Sequence, residues 1–253
     1  MHISFYYIIL LLFTSLFAQD VWGGISVSMP DNLNAISTNP AGLGIPRGKQ
    51  SGIYVSIDSV FSIHKSSRFN GFGYDLKYEY KDEHFPNLLN PSDGNIGFGT
   101  LLFPKAYGGI KWNINHFLDL GVLYRPLNQV SLGITTRFDD KSNYQSTIGF
   151  ALRPFFQHRL TIGADMNFID NDSSILYQHL TLEPMDGVLI SARFDASSDD
   201  FNINLVFNFG KKNIYSSGTF NSNSDYSGGF GYYSDTQLQK SIFKKKEDTI
   251  KQF

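Results

Sequence analysis

Six charged side chains, Asp119, Arg125, Arg137, Arg153, Arg159 and Asp165, fall at alternating positions in runs that are polar on one side and apolar on the other. Alternation puts such residues on one face of a sheet. There they can neutralise one another as an arginine–carboxylate ladder that props a wall, or line a passage that selects ions or carboxylates. Other chemistry fails on spacing. GIPRGKQ (44–50) has three residues rather than four between Gly44 and Gly48, and Gln50 stands where a phosphate-binding loop needs a hydroxyl. DNDSS, from Asp170, lacks the glycine and distal glutamate of a calcium loop and reads as a polar turn. His64, His84, His116, His158 and His179 are scattered without metal-ligand spacing. There is no Gly-x-Ser-x-Gly elbow and no Ser/Lys pair that the pattern places in a cleft. No catalytic residue, cofactor or metal is therefore expected, and the chain does not read as an enzyme.

A net charge of −2 leaves no basic surface for nucleic acid. The absence of cysteine rules out a disulfide framework, a thiolate metal site and lipoprotein acylation. The amino terminus, MHISFYYIILLLFTSLFAQ, carries an apolar run of secretory length followed at once by polar residues, which predicts a signal peptide over residues 1–18. The competing reading is a short membrane anchor. Beyond it no apolar stretch is long enough for a membrane helix.

The elements that must carry the charges are strands. In QVSLGITTRF, Val130, Leu132, Ile134 and Phe138 oppose Gln129, Ser131, Gly133, Thr135 and Arg137. HRLTIGADMNF and DFNINLVFNFG repeat the design. About thirteen such runs follow residue 50, separated by short turns such as RPLN, DDKS and ASSD, with one longer insertion from Lys81 to Gly94. One hairpin motif occurs twice, in GVLYRPLNQVSLG and GFALRPFFQHRLTIG, where Pro126 and Pro154 cannot donate to a ladder and so close their strands.

Pattern alone does not say which face is inside. Most runs are about 9–11 residues long, the length that crosses a bilayer at a 45° tilt. Tyr124, Phe138, Phe150, Phe168 and Phe194 lie near strand ends, as an interfacial girdle requires. With the export signal, these predict an all-β, antiparallel transmembrane barrel with apolar residues toward lipid and small polar residues in the lumen. Bacterial barrels have even strand counts, so 14 strands are expected (range 12–14), the last supplied before Ser51 or by Leu238–Phe243. The expected layout is a signal over 1–18, a plug over 19–50, the barrel over 51–235 and a basic tail or linker over 236–253.

Ahead of the strands stands STNPAGLG, residues 37–44. Asn39, Pro40, Ala41, Gly42 and Leu43, placed between a signal and a series of barrel strands, resemble the start of the FadL/OmpP1 superfamily, which includes PorV-type outer-membrane proteins. The RP hairpins and EPMDGVLISARFD extend the resemblance more weakly to about residue 233. It implies an outer-membrane barrel of a diderm bacterium, inserted by the outer-membrane assembly machinery, with its amino-terminal segment inside as a plug. It further implies the binding or passage of a hydrophobic small molecule, or the docking of cargo with a secretion-system partner. A similar barrel precedes the protease part of some signal-peptide-peptidase-like proteins, so the chain also reads as the membrane portion of such an enzyme, or as a purely structural barrel. The lipid bilayer is the expected partner in every case. Asn39, Pro40, Ala41 and Gly42 are the plug-turn candidates, and Asp119, Arg125, Arg137, Arg153 and Asp165 the lumen candidates. Arg125, Arg137 or Arg153 should hydrogen-bond plug carbonyls.

Overall fold

The computed structural model describes residues 26–33, 35–57, 62–79, 91–114, 117–139, 144–154, 159–169, 173–185, 187–196, 201–208, 214–221 and 226–235. The signal at 1–18, the basic tail at 236–253, the Leu238–Phe243 strand, the Asp170 turn and His84, His116 and His158 lie outside the described residues, as does most of the Lys81–Gly94 insertion.

Alternating residues become 14 strands: β1 (Gln50–Ile57), β2 (Ser62–Phe69), β3 (Phe72–Glu79), β4 (Asp93–Phe103), β5 (Ala106–Asn113), β6 (Phe117–Leu127), β7 (Val130–Asp139), β8 (Tyr144–Leu152), β9 (Leu160–Ile169), β10 (Ser173–Met185), β11 (Val188–Asp195), β12 (Phe201–Asn208), β13 (Ile214–Asn221) and β14 (Tyr226–Asp235). Each pairs antiparallel with its sequence neighbours, and β1 pairs with β14 from Gln50 opposite Asp235 to Ile57 opposite Gly228, closing the barrel. Closure leaves no strand edge in lipid, where an unpaired amide has no water to turn to.

The fourteenth strand differs from expectation in its place. Residues 62–79 supply it, forming a hairpin of two short strands, β2 and β3. Asn70 (φ 47) and Gly71 (φ 84) form the two-residue left-handed turn that matches strand twist. β2 evades a hydrophobic count because its outward residues are Ile63, Lys65, Ser67 and Phe69, half of them polar.

The barrel is inside-out relative to a soluble protein. Ile96, Phe98, Ile110, Trp112, Leu120, Val122, Leu132, Ile134, Ile148, Phe150 and Ile162 are exposed on the outer face, Trp112 at 62%. Lys111, Asn113, Asp119, Ser131, Thr161, Asp165, His179, Ser191 and Asn204 are buried on the inner one. So large a contiguous apolar surface is a membrane-contacting one. The turns Asn70-Gly71, Pro104-Lys105 and Asn128-Gln129 gather at the end that carries Gln50 and Asp235, hereafter the tight-turn end.

Inside, residues 26–33 and 35–49 form a plug in the half of the barrel nearer that end. A single helical turn, α1 (Ala35–Thr38), leads into a 3-10 turn over Pro40–Gly44. Ala35, Ile36 and Leu43 make its small core.

Candidate functional site

The plug turn is built by its own sequence. Asn39, extended at φ −154 and ψ 110, caps the 3-10 turn by accepting from the Ala41 amide at 3.0 Å, and Pro40 supplies the preset first position. The Asn39 side-chain amide donates to Val27 O (2.8 Å) within the plug and to Val122 O (3.2 Å) on the wall. A Cβ at Gly42 would fall onto Pro30, so only glycine lets the two plug strands of chain approach. Asn39 and Ala41 are fully buried.

The wall is shaped to receive the turn. Gly99, Gly109, Gly121 and Gly133 face inward on β4 to β7, and a Cβ at each would meet plug atoms: Gly44 N and Pro40 O, the Pro40 carbonyl, Asn39 Oδ1, and Val27 O. Leu43 packs over Gly73, Gly97 and Gly99. A row of missing side chains thus seats the plug backbone directly on the strands.

Charge fixes it in place. Asp31, on the plug, receives Arg125 Nη1 at 2.7 Å, Arg153 Nη2 at 2.5 Å and Arg47 Nη2 at 3.1 Å. Burial alone would raise the Asp31 carboxyl, but the three guanidinium charges together outweigh it and hold it well below the usual carboxylate range. Asp165 accepts from Ser26 Oγ (2.7 Å) and the Val27 amide (3.1 Å), with His179 Nε2 at 3.4 Å behind it. Ser131 Oγ donates to Ser28 O at 2.6 Å, and Lys111 Nζ to Ser37 O at 3.3 Å.

The lumen candidates separate into two groups. Asp119 and Arg137 form a bidentate pair (2.9 and 3.1 Å), with Lys111 Nζ 2.6 Å from Asp119 and the Arg137 guanidinium 4.1 Å above the Phe117 ring. Arg125, Arg153 and Asp165 instead reach the plug. The arginines engage the Asp31 carboxylate where backbone carbonyls were expected, because a carboxylate is the better acceptor for guanidinium. The carbonyls are taken by Arg68, which donates to Asn32 O (3.2 Å), Gly42 O (3.0 Å) and Ile45 O (2.9 Å). Sequence reasoning missed Arg68 because it missed β2. It missed Asp31, Arg47 and Lys111 because it sought charges only in the strongest alternating runs. Alternation in GGIKWN, with Lys111 between Ile110 and Trp112, carried the signal for the last. Among the described residues no group of three His, Asp or Glu side chains could hold a metal ion.

No family model and no curated protein matches this chain. Among solved structures it is similar to the Acinetobacter baumannii outer membrane protein Omp33, with a TM-score of 0.51 at 8% identity over 76% of this chain and 99% of that one. A variant of the Rh. blastica porin aligns over 74% of this chain and 98% of its own, with a TM-score of 0.48 at 10% identity. At such identities the Omp33 likeness speaks to fold alone, and it does not single out the FadL/OmpP1 superfamily; the fold is that of an outer-membrane β-barrel.

Proposed function

We propose that this chain is an outer-membrane barrel whose lumen is narrowed by its own amino-terminal segment, and that it is a non-catalytic conduit for small polar solutes. The observation that carries this reading is the plug seated on inward glycines and buried ion pairs inside a closed, inside-out barrel. The described inner face favours a hydrated solute over an oily one: Asn95, Asn113, Gln145, Thr147, Asn167 and Asn204 line it alongside the charge pairs. Passage would depend on how far the plug withdraws. Purified protein should migrate as a heat-modifiable band and insert into planar bilayers. Deleting residues 20–47 behind an intact signal should raise single-channel conductance. Unchanged conductance, in a variant that inserts normally, would overturn the reading.

A second reading, a hydrophobic small molecule held by the barrel as the FadL/OmpP1 resemblance implies, is favoured by a recess of about 310 Å³ at the tight-turn end. Leu43, Ile45, Phe98 and Leu101 line it beside Arg68. Saturable binding of a fluorescent fatty-acid probe, lost on Ile45→Ala, would support it. Cargo docking and a protease junction rest on the resemblance alone.

A further inference from the structure

The twice-occurring G-x-x-x-R-P motif has a use beyond ending strands. In both copies the arginine lies near the end of its strand, and its amide donates to the neighbouring hairpin's turn: Arg125 N to Lys105 O (2.9 Å) and Arg153 N to Gln129 O (2.7 Å). The repeated local geometry sends both guanidinium groups into the lumen at one level, on β6 and just past β8. They converge on a single carboxylate, Asp31, which Arg47 also reaches. Three positive groups around one negative group leave a surplus of positive charge. Arg125 Nη2 and Arg153 Nε are moreover buried N–H donors with no hydrogen-bond partner. Unpaired buried donors are costly, and two guanidinium groups held this close repel unless an anion lies between them. Ser131, whose hydroxyl accepts from Arg125 Nε at 3.1 Å, fixes the fork from behind.

The Asp31 carboxylate is chemically an oxyanion on a tether. We propose that Arg125 and Arg153 of the wall form an oxyanion site at the tight-turn mouth of the lumen, that Asp31 occupies it in the plugged barrel, and that a small soluble carboxylate or phosphate takes Asp31's place when the plug withdraws. The spare donors suit a ligand with more oxygens than a carboxylate, and planar guanidinium forks bind phosphate bidentately. The plug then closes the lumen by imitating what the lumen binds. External oxyanion and plug compete for the same two arginines, so each weakens the other's hold.

This inference rests on the conduit reading for its physiological sense but is tested without any current. Inorganic phosphate is titrated calorimetrically into the refolded full-length barrel in detergent, with chloride as the counter-titrant. Asp31→Ala should bind phosphate at least about tenfold more tightly than the unaltered chain, where a tethered competitor of high effective concentration must first be displaced. Adding Arg125→Gln and Arg153→Gln to Asp31→Ala should abolish the binding. Asp31→Asn removes the charge while keeping side-chain size, and serves where Asp31→Ala does not give a heat-modifiable band. Phosphate binding equal in the Asp31 variants and the unaltered chain, or binding that survives loss of both arginines, overturns the proposal. Bilayer recordings on the same preparations separate the two failures. Binding without conductance refutes the conduit and leaves the site; conductance without binding does the reverse.

Discussion

Replacing Asn39 by alanine should loosen the plug while leaving the barrel intact. The side chain caps the Pro40–Gly44 turn through Ala41 N and joins Val27 O to Val122 O through its amide, all in a fully buried setting. Loss of the cap costs about 1 kcal/mol, and each buried group left unsatisfied about 1–3 kcal/mol. Because the plug can relax, the sum is about 2–4 kcal/mol. At 1.4 kcal/mol per tenfold, the population of released plug rises roughly 30- to 700-fold. Hydrogen–deuterium exchange of peptides covering residues 26–49, in folded barrel in detergent, reads this directly, with β6–β9 peptides as internal reference. Asn39→Ser keeps an acceptor for Ala41 N and loses the wall bond, so its exchange should fall between the two. Gly121→Ala should mimic Asn39→Ala from the other side, since its Cβ would press on Asn39 Oδ1. Plug exchange in Asn39→Ala within about threefold of the unaltered chain would mean that the side chain does not hold the segment, and the reasoning fails.

The Asp31 latch has a defined pH window. Its carboxyl is depressed in the folded state, so its contribution is present above the unfolded value of about 3.9 and lost as pH falls through the lower folded value. Protease protection of residues 26–49 should persist at pH 5 and fail only below about pH 4; release between pH 5 and 6 would assign the switch to another group. Ile134→Arg, on the lipid face of β7, should cost about 2–4 kcal/mol in urea-dependent folding into vesicles, whereas Thr135→Arg, facing the lumen, should cost markedly less. Equal costs would argue against a membrane-facing belt. Gly71→Ala places a Cβ at φ 84 against Gly99 O and should destabilise the barrel by at least about 1 kcal/mol in the same assay, with no shift refuting the strained-turn account.

The sequence by itself determined the architecture. Period-two alternation at membrane-crossing length is a local property that each segment carries alone, so runs such as Val130–Asp139 and Leu160–Ile169 needed no partner to be read as strands. Asn39-Pro40 likewise encodes a cap and a preset turn in adjacent residues. Asn70-Gly71 was legible too, as the strongest short hairpin signal there is, although the polar outer face of β2 obscured it. Only the tertiary structure decided which charges meet. Asp31 and Arg153 stand 122 positions apart, Ser26 and Asp165 139 apart, and no spacing rule connects them. Closure of the barrel brings β6 to β9 around the plug, and the depth at which the plug stops fixes who faces whom. The inward glycines show the same limit. Along the chain Gly109, Gly121 and Gly133 are ordinary small residues on polar faces, and only the plug lying against them makes the absent Cβ a binding surface.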